Sequence, residues 1–233
     1  MKQAFFVTGT DTGVGKTHVS CALLHAFAQQ GLRAVGMKPV AAGCLVHQGG
    51  LLSEDVAALL AAGNVEATPG EINPYAFAAP LAPHIAAQMT GINIEFSPIL
   101  AAFAALQSRA DVVVVEGVGG FRVPLNAHQD TADLAVALKL PVILVVGMRL
   151  GCLNHALLTA EAIAARGLHL AGWVANGIDG GMTTFDENVA ALEARLPAPC
   201  IAVMPYHKTA DYKIAGLALD MDYLVRAEGG APT

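Results

Sequence analysis

Short continuous apolar runs alternate along this chain with longer stretches in which apolar residues recur every three or four positions. The runs are Ala4 to Val7, Ala34 to Val40, Val112 to Val115, Val142 to Val146, Leu170 to Ala175 and Cys200 to Val203. Each is short, apolar throughout or nearly so, and rich in β-branched or aromatic residues, which predicts strands buried on both faces. Helical patterns run over Val19 to Gln29, Val56 to Ala62 and Ala156 to Ala165. The alternation predicts an α/β fold, a mostly parallel sheet with helices on both faces wound as right-handed βαβ units. One domain is expected over residues 1–228, followed by a frayed tail at 229–233. Sheets of this kind bind ligands at the strands' C-terminal ends, and Lys38, Glu116, Arg149 and Asn176 all stand at or just past such an end.

The first run leads into Gly9-Thr10-Asp11-Thr12-Gly13-Val14-Gly15-Lys16-Thr17, and the first helical stretch leads out. In a strand–loop–helix of this composition the amides of Thr12, Gly13, Val14 and Gly15 turn inward around phosphate oxygens. Lys16 adds a mobile cation, the Thr17 hydroxyl is placed to ligate Mg²⁺, and His18 follows in the helix start. The prediction is a nucleotide triphosphate site in a P-loop NTPase-like, Rossmann-like domain. Five residues rather than four separate Gly9 from Gly15, so Thr10 holds the usual position of the first glycine.

Composition narrows the choice of ligand. With 55% hydrophobic and 14% charged residues in 233, the chain has enough apolar material for one large buried core. The formal net charge is −6, from 13 Lys and Arg against 19 Asp and Glu, and no basic run occurs, which argues against nucleic acid. An anionic ligand must therefore be held by placed cations, for which Lys16 and Lys38 are the candidates, and by backbone amides. Cys21, Cys44, Cys152 and Cys200 lie far apart without zinc-ligand spacing, and read as buried thiols of a reducing cytoplasm. The chain opens on a strand, with no leader pattern, and no apolar run reaches the ~18 residues of a membrane span, so a soluble cytoplasmic protein is expected.

Several strand ends carry chemistry. Lys38 closes its run in Met37-Lys38-Pro39-Val40, where Pro39 removes a backbone donor, as at an edge or strand exit; a lysine there either reaches the phosphate loop or escapes to solvent. Ser53 is placed to cap the helix after it, with Glu54 and Asp55 in the first turn, and Asp55 reads as helix-end charge or as a metal ligand. Val112-Val113-Val114-Val115-Glu116 has the form of a Walker B strand, delivering Glu116 towards a metal, and Gly117-Val118-Gly119-Gly120 allows a close backbone approach to ligand. Asn176-Gly177-Ile178-Asp179 has the N-x-x-D spacing of guanine readers without their lysine, and is equally an Asn-Gly turn or a base-reading amide. Between Arg149 and His155, Asn154 is expected to cap the next helix and leave its amides for an anion such as a carboxylate. The turn Asn73-Pro74-Tyr75 and the cluster Pro80, Pro83 and His84 predict a rigid irregular segment with no derivable chemistry.

In combination these stretches resemble the dethiobiotin synthetase family, ATP-dependent cyclising ligases of biotin synthesis. The likeness covers almost the whole chain: Thr8 to Thr12 with Val14-Gly15-Lys16-Thr17, Lys38-Pro39-Val40, Ser53-Glu54-Asp55, Asn73-Pro74-Tyr75, Pro83-His84, Val115-Glu116-Gly117, Leu150-Gly151-Cys152 with Asn154-His155, and Trp173-Val174-Ala175-Asn176. The phosphate loop with its extra residue is itself typical of the family. The resemblance implies that 7,8-diaminononanoate takes up CO₂ as a carbamate, ATP phosphorylates the carbamate, and the second amine closes a ureido ring with release of phosphate. It implies Mg²⁺ on Thr17, Asp55 and Glu116, with Lys16 and Lys38 as the catalytic cations. It also implies adenine read by Asn176, with Gly177, Pro205, Tyr206 and His207 around it, and Gly117, Val118 and Gly119 along the nucleotide. Ala42 and the stretch Gly151, Cys152, Leu153 and Asn154 fall where the family receives substrate, the latter from a neighbouring subunit, so a homodimer is implied.

Two positions depart from the family pattern: Ala42 stands where Ser is frequent, and Gly13 where some members have Glu. A partitioning ATPase of the deviant-loop kind would carry a lysine early in the loop, where this chain has Asp11. The synthetase half of a cobyrinate-type amidotransferase would need a second domain to supply ammonia, and none is expected.

Overall fold

The computed structural model describes residues 2–208 and 211–226. The N-terminal part runs β1 (Gln3–Gly9), α1 (Lys16–Gln29), β2 (Ala34–Met37), β3 (Val40–Ala42), β4 (Leu45–His47), β5 (Gly50–Leu52), α2 (Glu54–Ala62), α3 (Pro69–Ile72), β6 (Tyr75–Phe77), α4 (Pro83–Met89) and α5 (Phe96–Arg109). It continues with β7 (Val112–Glu116), α6 (Thr131–Leu138), β8 (Val142–Met148), α7 (Cys152–Ala165), β9 (Leu170–Gly177), α8 (Phe185–Glu193), β10 (Cys200–Met204), α9 (Tyr212–Gly216) and α10 (Met221–Arg226). The expected tail at 229–233 lies outside the described residues.

Six strands form one parallel sheet in the order β10-β9-β8-β1-β7-β2. The chain moves from β1 past β7 to the edge at β2, then returns through β7 and across β1 to β8, so the winding direction reverses beside β1. Right-handed crossovers then put α1 on one face and α5, α6, α7 and α8 on the other. Contacts of α1 with α2 and α9, of α5 with α6, and of α7 with α8 agree with that division. The sheet's interior is continuous with both helical layers: Phe5, Phe6 and Val7 are fully buried, and Phe5 stacks on Phe27 of α1 with ring centroids 5.9 Å apart. Burying a side chain of that size contributes about 1.5–3 kcal/mol, which is why continuous apolar runs suffice to specify central strands.

Register sets the site. Val7 pairs with Glu116, Gly9 with Val145, and Asn176 with both Gly147 and Met204, so these polar and glycine positions share the C-terminal edge of the sheet. The expected strand Ala34 to Val40 is interrupted: β2 ends at Met37 on the sheet edge, Lys38 and Pro39 form a break, and Val40 begins β3, which pairs with β6 in a separate two-stranded sheet. Pro39 cannot donate to a ladder and the edge strand β2 has a neighbour on one side only, β7, so the chain turns out of the sheet there. The segment expected to be irregular around Asn73 to His84 contains β6 and the start of α4, with Pro83 at the first helical position.

Candidate functional site

The phosphate loop is built around two left-handed glycines and one buried valine. Gly13 and Gly15 adopt φ of 74° and 89°, a region that L side chains rarely enter. Val14 between them is 1% exposed and packs into a gap made by other glycines. A Cβ on Gly9 would lie 2.6 Å from Val14 Cγ2, and one on Gly147 of β8 would lie 2.8 Å from Val14 Cγ1. The extra residue of the loop thus belongs to a loop that is plugged into the sheet edge by Val14. Asp11 Oδ1 accepts from the Thr12 amide at 2.7 Å, and Lys16 Nζ donates to the Asp11 carbonyl at 3.0 Å.

Thr17, Asp55, Glu116 and Lys38 meet in front of that loop. The Thr17 hydroxyl lies 2.7 Å from Asp55 Oδ1 and 2.8 Å from Glu116 Oε1. Lys38 Nζ donates to Glu116 Oε1 at 2.6 Å, to the Gly117 carbonyl at 3.1 Å and to Asp55 Oδ2 at 2.8 Å, so all three ammonium protons have acceptors. Asp55 is held in the first turn of α2, which Ser53 caps by accepting from the Val56 amide, as expected.

The electrostatics follow from this packing. Burial opposes charge on Lys38, but the Glu116 and Asp55 carboxylates outweigh it and raise the ammonium above the ordinary lysine range. Burial likewise opposes charge on Asp55, and Lys38 and the Thr17 hydroxyl overcome it and lower the carboxyl. Lys16 is lowered to about 8, first by burial and then by the Lys38 charge.

A second group forms a cavity of about 400 Å³ beside the loop, lined by Gly15, His18, Asn176, Gly177, Pro205, Tyr206 and His207 among others. Asn176 Nδ2 donates to the Val14 carbonyl at 2.8 Å. A Cβ on Gly15 would lie 2.1 Å from that Nδ2, and a Cβ on Gly177 would lie 2.5 Å from the Tyr206 amide nitrogen. Both glycines are therefore required by close approach. Asp179, the last residue of the N-x-x-D pattern, does not line the cavity, and its Oδ1 accepts from Gly181 N at 2.8 Å in a local turn. Gly117 donates its amide to the Val7 carbonyl at 2.9 Å, and Gly119, at φ 63°, packs beside Val123 and the Thr12 hydroxyl. Val118 stands between them, partly exposed.

The residues expected to receive substrate stand apart from this cavity. Ala42 ends β3, opposite Phe77. Helix α7 starts at Cys152 with Gly151 as its cap at φ 93°, so Asn154 lies in the first turn and does not cap it as expected. The glycine takes the cap position because the chain must turn there through a left-handed conformation. Cys152 is buried and its amide donates to the Arg149 carbonyl at 3.0 Å, while Leu150 beside it is 99% exposed.

The comparisons with known proteins agree with one another. A family model described as an AAA domain matches residues 3–212. A protein of Nitrosospira multiformis named ATP-dependent dethiobiotin synthetase BioD is 55% identical over 221 residues, covering 95% of this chain and 96% of that one. Its namesake in Aromatoleum aromaticum is 57% identical, covering 90% and 93%. The chain belongs to the AAA domain family and to the dethiobiotin synthetases.

Among solved structures, the MinD cell division protein of Aquifex aeolicus matches this dethiobiotin synthetase family member with a TM-score of 0.58 at 14% identity, covering 99% and 98% of the two chains. Cell division protein FtsY of Thermotoga maritima gives 0.54 at 16%, covering 99% and 69%. These likenesses show the P-loop fold alone. Within that fold the dethiobiotin synthetase chain has Asp11 early in its loop, where its Oδ2 pairs with Arg149 at 2.7 Å.

Three features escaped sequence reasoning. Gly147 ends an apolar run with no sign that Val14 needs its missing Cβ. Met204 at the end of β10, and Asp211 and Ile214 at the start of α9 and within it, join the cavity lining with no motif to mark them, and Ile178 joins it from the position just after β9. Asn73 was visible only as part of a three-residue motif, and its buried amide donates to the Lys38 carbonyl at 2.6 Å.

Proposed function

We propose that this protein makes dethiobiotin from 7,8-diaminononanoate, CO₂ and ATP, releasing ADP and phosphate. The observation that carries the reading, beside family membership, is the convergence of Lys38 with Thr17, Asp55 and Glu116 in front of a phosphate loop. Phosphoryl transfer to a carbamate brings anionic oxygens together, so the protein's work is positioning and charge neutralisation.

The donor set fits Mg²⁺. Two carboxylates and a hydroxyl are hard oxygen ligands, few enough to leave places for water and phosphate oxygens, and Glu116 Oε2 is buried without a hydrogen-bond partner. Among the described residues no group of three or more His, Cys, Asp or Glu is placed to hold a metal ion by itself. Bound there, Mg²⁺ would neutralise the β- and γ-phosphate oxygens.

In this reading the amides of Thr12 to Gly15 and Lys16 hold the triphosphate. Lys38 stabilises the carbamate oxygen and the transferring phosphoryl group. The carbamate oxygen attacks the γ-phosphorus, the bond to the β-bridging oxygen breaks, and ADP leaves. The second amine then attacks the carbamoyl carbon and loses its proton as phosphate departs from the mixed anhydride, the proton leaving with the phosphate. The base lies in the cavity of Asn176, Gly177, Pro205, Tyr206 and His207, with His18 at its edge. Gly117, Val118 and Gly119 border the phosphates.

A second copy of the chain completes the substrate site, with the start of α7 from Gly151 to Asn154 receiving the diamine's carboxylate; full exposure of Leu150 beside it supports an interface there. Among the first-turn amides Cys152 is already engaged by Arg149, which leaves those of Leu153 and Asn154 to the carboxylate. Ala42 borders the diamine with no hydroxyl. The single synthetase domain is assigned to residues 1–228. No helix of the described residues is long and apolar enough to cross a membrane, and all four cysteines are unpaired, which supports a reducing, cytoplasmic setting.

Purified protein incubated with diaminononanoate, bicarbonate, Mg²⁺ and ATP should form dethiobiotin and release ADP only when the diamine is present. Absence of both product and diamine-dependent ADP would overturn the assignment.

A further inference from the structure

We infer that Asn73 is the positioning residue for Lys38, setting where its ammonium stands in the reaction; this rests on the role proposed above for Lys38. Lys38 lies in the break between β2 and β3, where neither sheet supplies a ladder partner for its backbone. Its peptide is held instead by the segment from α3 to β6. The Lys38 amide donates to the Ile72 carbonyl at 2.8 Å, and its carbonyl accepts from Asn73 Nδ2 at 2.6 Å. The same Nδ2 donates to the Tyr75 carbonyl at 3.0 Å. Both neighbours are carbonyl oxygens, which accept only, so the amide nitrogen must face them and both of its protons are used.

Asn73 is 6% exposed and Lys38 3% exposed, so water does not replace these bonds. Removing the amide leaves a buried carbonyl unpaired at the root of the side chain whose tip is fixed by Asp55, Glu116 and Gly117. Pro39 follows immediately and its own carbonyl accepts from the Tyr75 amide at 3.1 Å, so Asn73 and Tyr75 together bridge the break. A donor is needed at this point because the edge strand has ended, and only a side chain supplies one. A misplacement of about 1 Å in a catalytic group can lower turnover roughly 100-fold, which gives the buried clamp a catalytic consequence without contact to the reacting atoms.

The test is a cycle of Asn73→Ala and Lys38→Ala on the full chain, with the isosteric Asn73→Asp as a second variant that keeps volume and loses both donors. Expected are a kcat lowered roughly 10- to 100-fold by Asn73→Ala, a nucleotide Kd within about threefold of the parent, and no further loss when Asn73→Ala is added to Lys38→Ala. Equal losses in both backgrounds would mean a general structural role and overturn the inference, as would unchanged kcat in Asn73→Ala and Asn73→Asp. A readout independent of turnover is the ¹⁵N ammonium resonance of Lys38, assigned by its absence in Lys38→Ala. It should be protected in the parent and shifted or lost in either Asn73 variant. An unchanged resonance would overturn the inference even in a protein that made no dethiobiotin.

Discussion

Lys38 and Glu116 form a buried ion pair, 2.6 Å from Nζ to Oε1, at the point where the phosphate loop faces the sheet edge. Because Asp55 lies 2.8 Å from the same ammonium, the free protein balances two carboxylates with a cation of its own. That arrangement keeps Lys38 charged and aimed before any ligand arrives.

Lys38→Ala should therefore separate binding from chemistry. In the proposed binding mode the phosphate contacts come from the loop amides and Lys16, so nucleotide affinity should stay within a few-fold of the parent. Turnover should fall by roughly 10²–10⁴, since the stabilisation removed is one made with the developing charge. Steady-state kinetics beside a nucleotide titration checks this, and unchanged turnover would remove Lys38 from the mechanism.

The same pair predicts a gain of function in the ligand-free protein. Lys38→Met leaves Asp55 and Glu116 without their cation, so the variant should bind Mn²⁺ without nucleotide more tightly than the parent, read by electron paramagnetic resonance. Its thermal midpoint without metal should fall by roughly 6–12 °C, taking about 3 kcal/mol for a broken pair with one partly exposed carboxylate. In the parent the raised Lys38 contributes stability that is present below the ordinary lysine range and is lost as pH rises through its folded value. The lowered Asp55 contributes stability above the ordinary carboxylate range that is lost as pH falls through its folded value. The loss in Lys38→Met should therefore be full near neutral pH.

Why these partners were partly legible in the sequence is a matter of range. Strand ends and the glycine loop are local signals, so Lys16, Thr17, Glu116 and Asn176 could be placed at one edge from the runs that precede them. Asp55 and Lys38 were ambiguous because a helix-start acid and a strand-end lysine look the same whether solvated or paired. Only the register of β2 on β7 and the packing of α2 decide it. The run Ala34 to Val40 reads as a strand with Lys38 and Pro39 at an edge or exit, and periodicity cannot show that the chain changes partner strand after Met37. Side-chain preference points to Asn154 as the helix cap, whereas Gly151 holds that place by backbone geometry three residues earlier.

Lys16 should take up a proton when nucleotide binds. Burial and Lys38 lower it to about 8 in the free protein, so at pH 8 about half of the molecules carry neutral Lys16. The triphosphate favours the charged form and raises it, with uptake of about half a proton per site at pH 8 and almost none at pH 6.5. Calorimetry in two buffers of different ionisation enthalpy measures the uptake, and no buffer dependence at pH 8 would refute it. Lys16→Arg, always charged, should abolish the uptake.

Asn176 should distinguish bases by the group at the purine 6-position. With one N–H on the Val14 carbonyl, the Asn176 amide keeps its Oδ1 and its other N–H to offer a base in the cavity that it lines, an acceptor beside a donor. That order matches the amino group and ring nitrogen of adenine and opposes the keto oxygen of hypoxanthine. Inosine triphosphate, which differs from ATP at that position, should bind roughly 10- to 100-fold more weakly. Equal affinities by competition would show that the amide does not read the base.

Val14 and Gly147 should be coupled although they lie on different elements. A methyl group on Gly147 would stand 2.8 Å from Val14 Cγ1 and 2.7 Å from Ile178 Cδ1. Gly147→Ala must therefore push the phosphate loop or Ile178 aside, at about 1–3 kcal/mol of stability and with weaker nucleotide binding. Val14→Ala alone leaves a void beneath the loop and is also destabilising. In the double variant the new methyl fills part of that void, so the combined loss of stability and affinity should be smaller than the sum of the single losses by about 1 kcal/mol. Chemical denaturation and nucleotide titration of the four proteins give the coupling, and strict additivity would show that the loop is not seated through this contact.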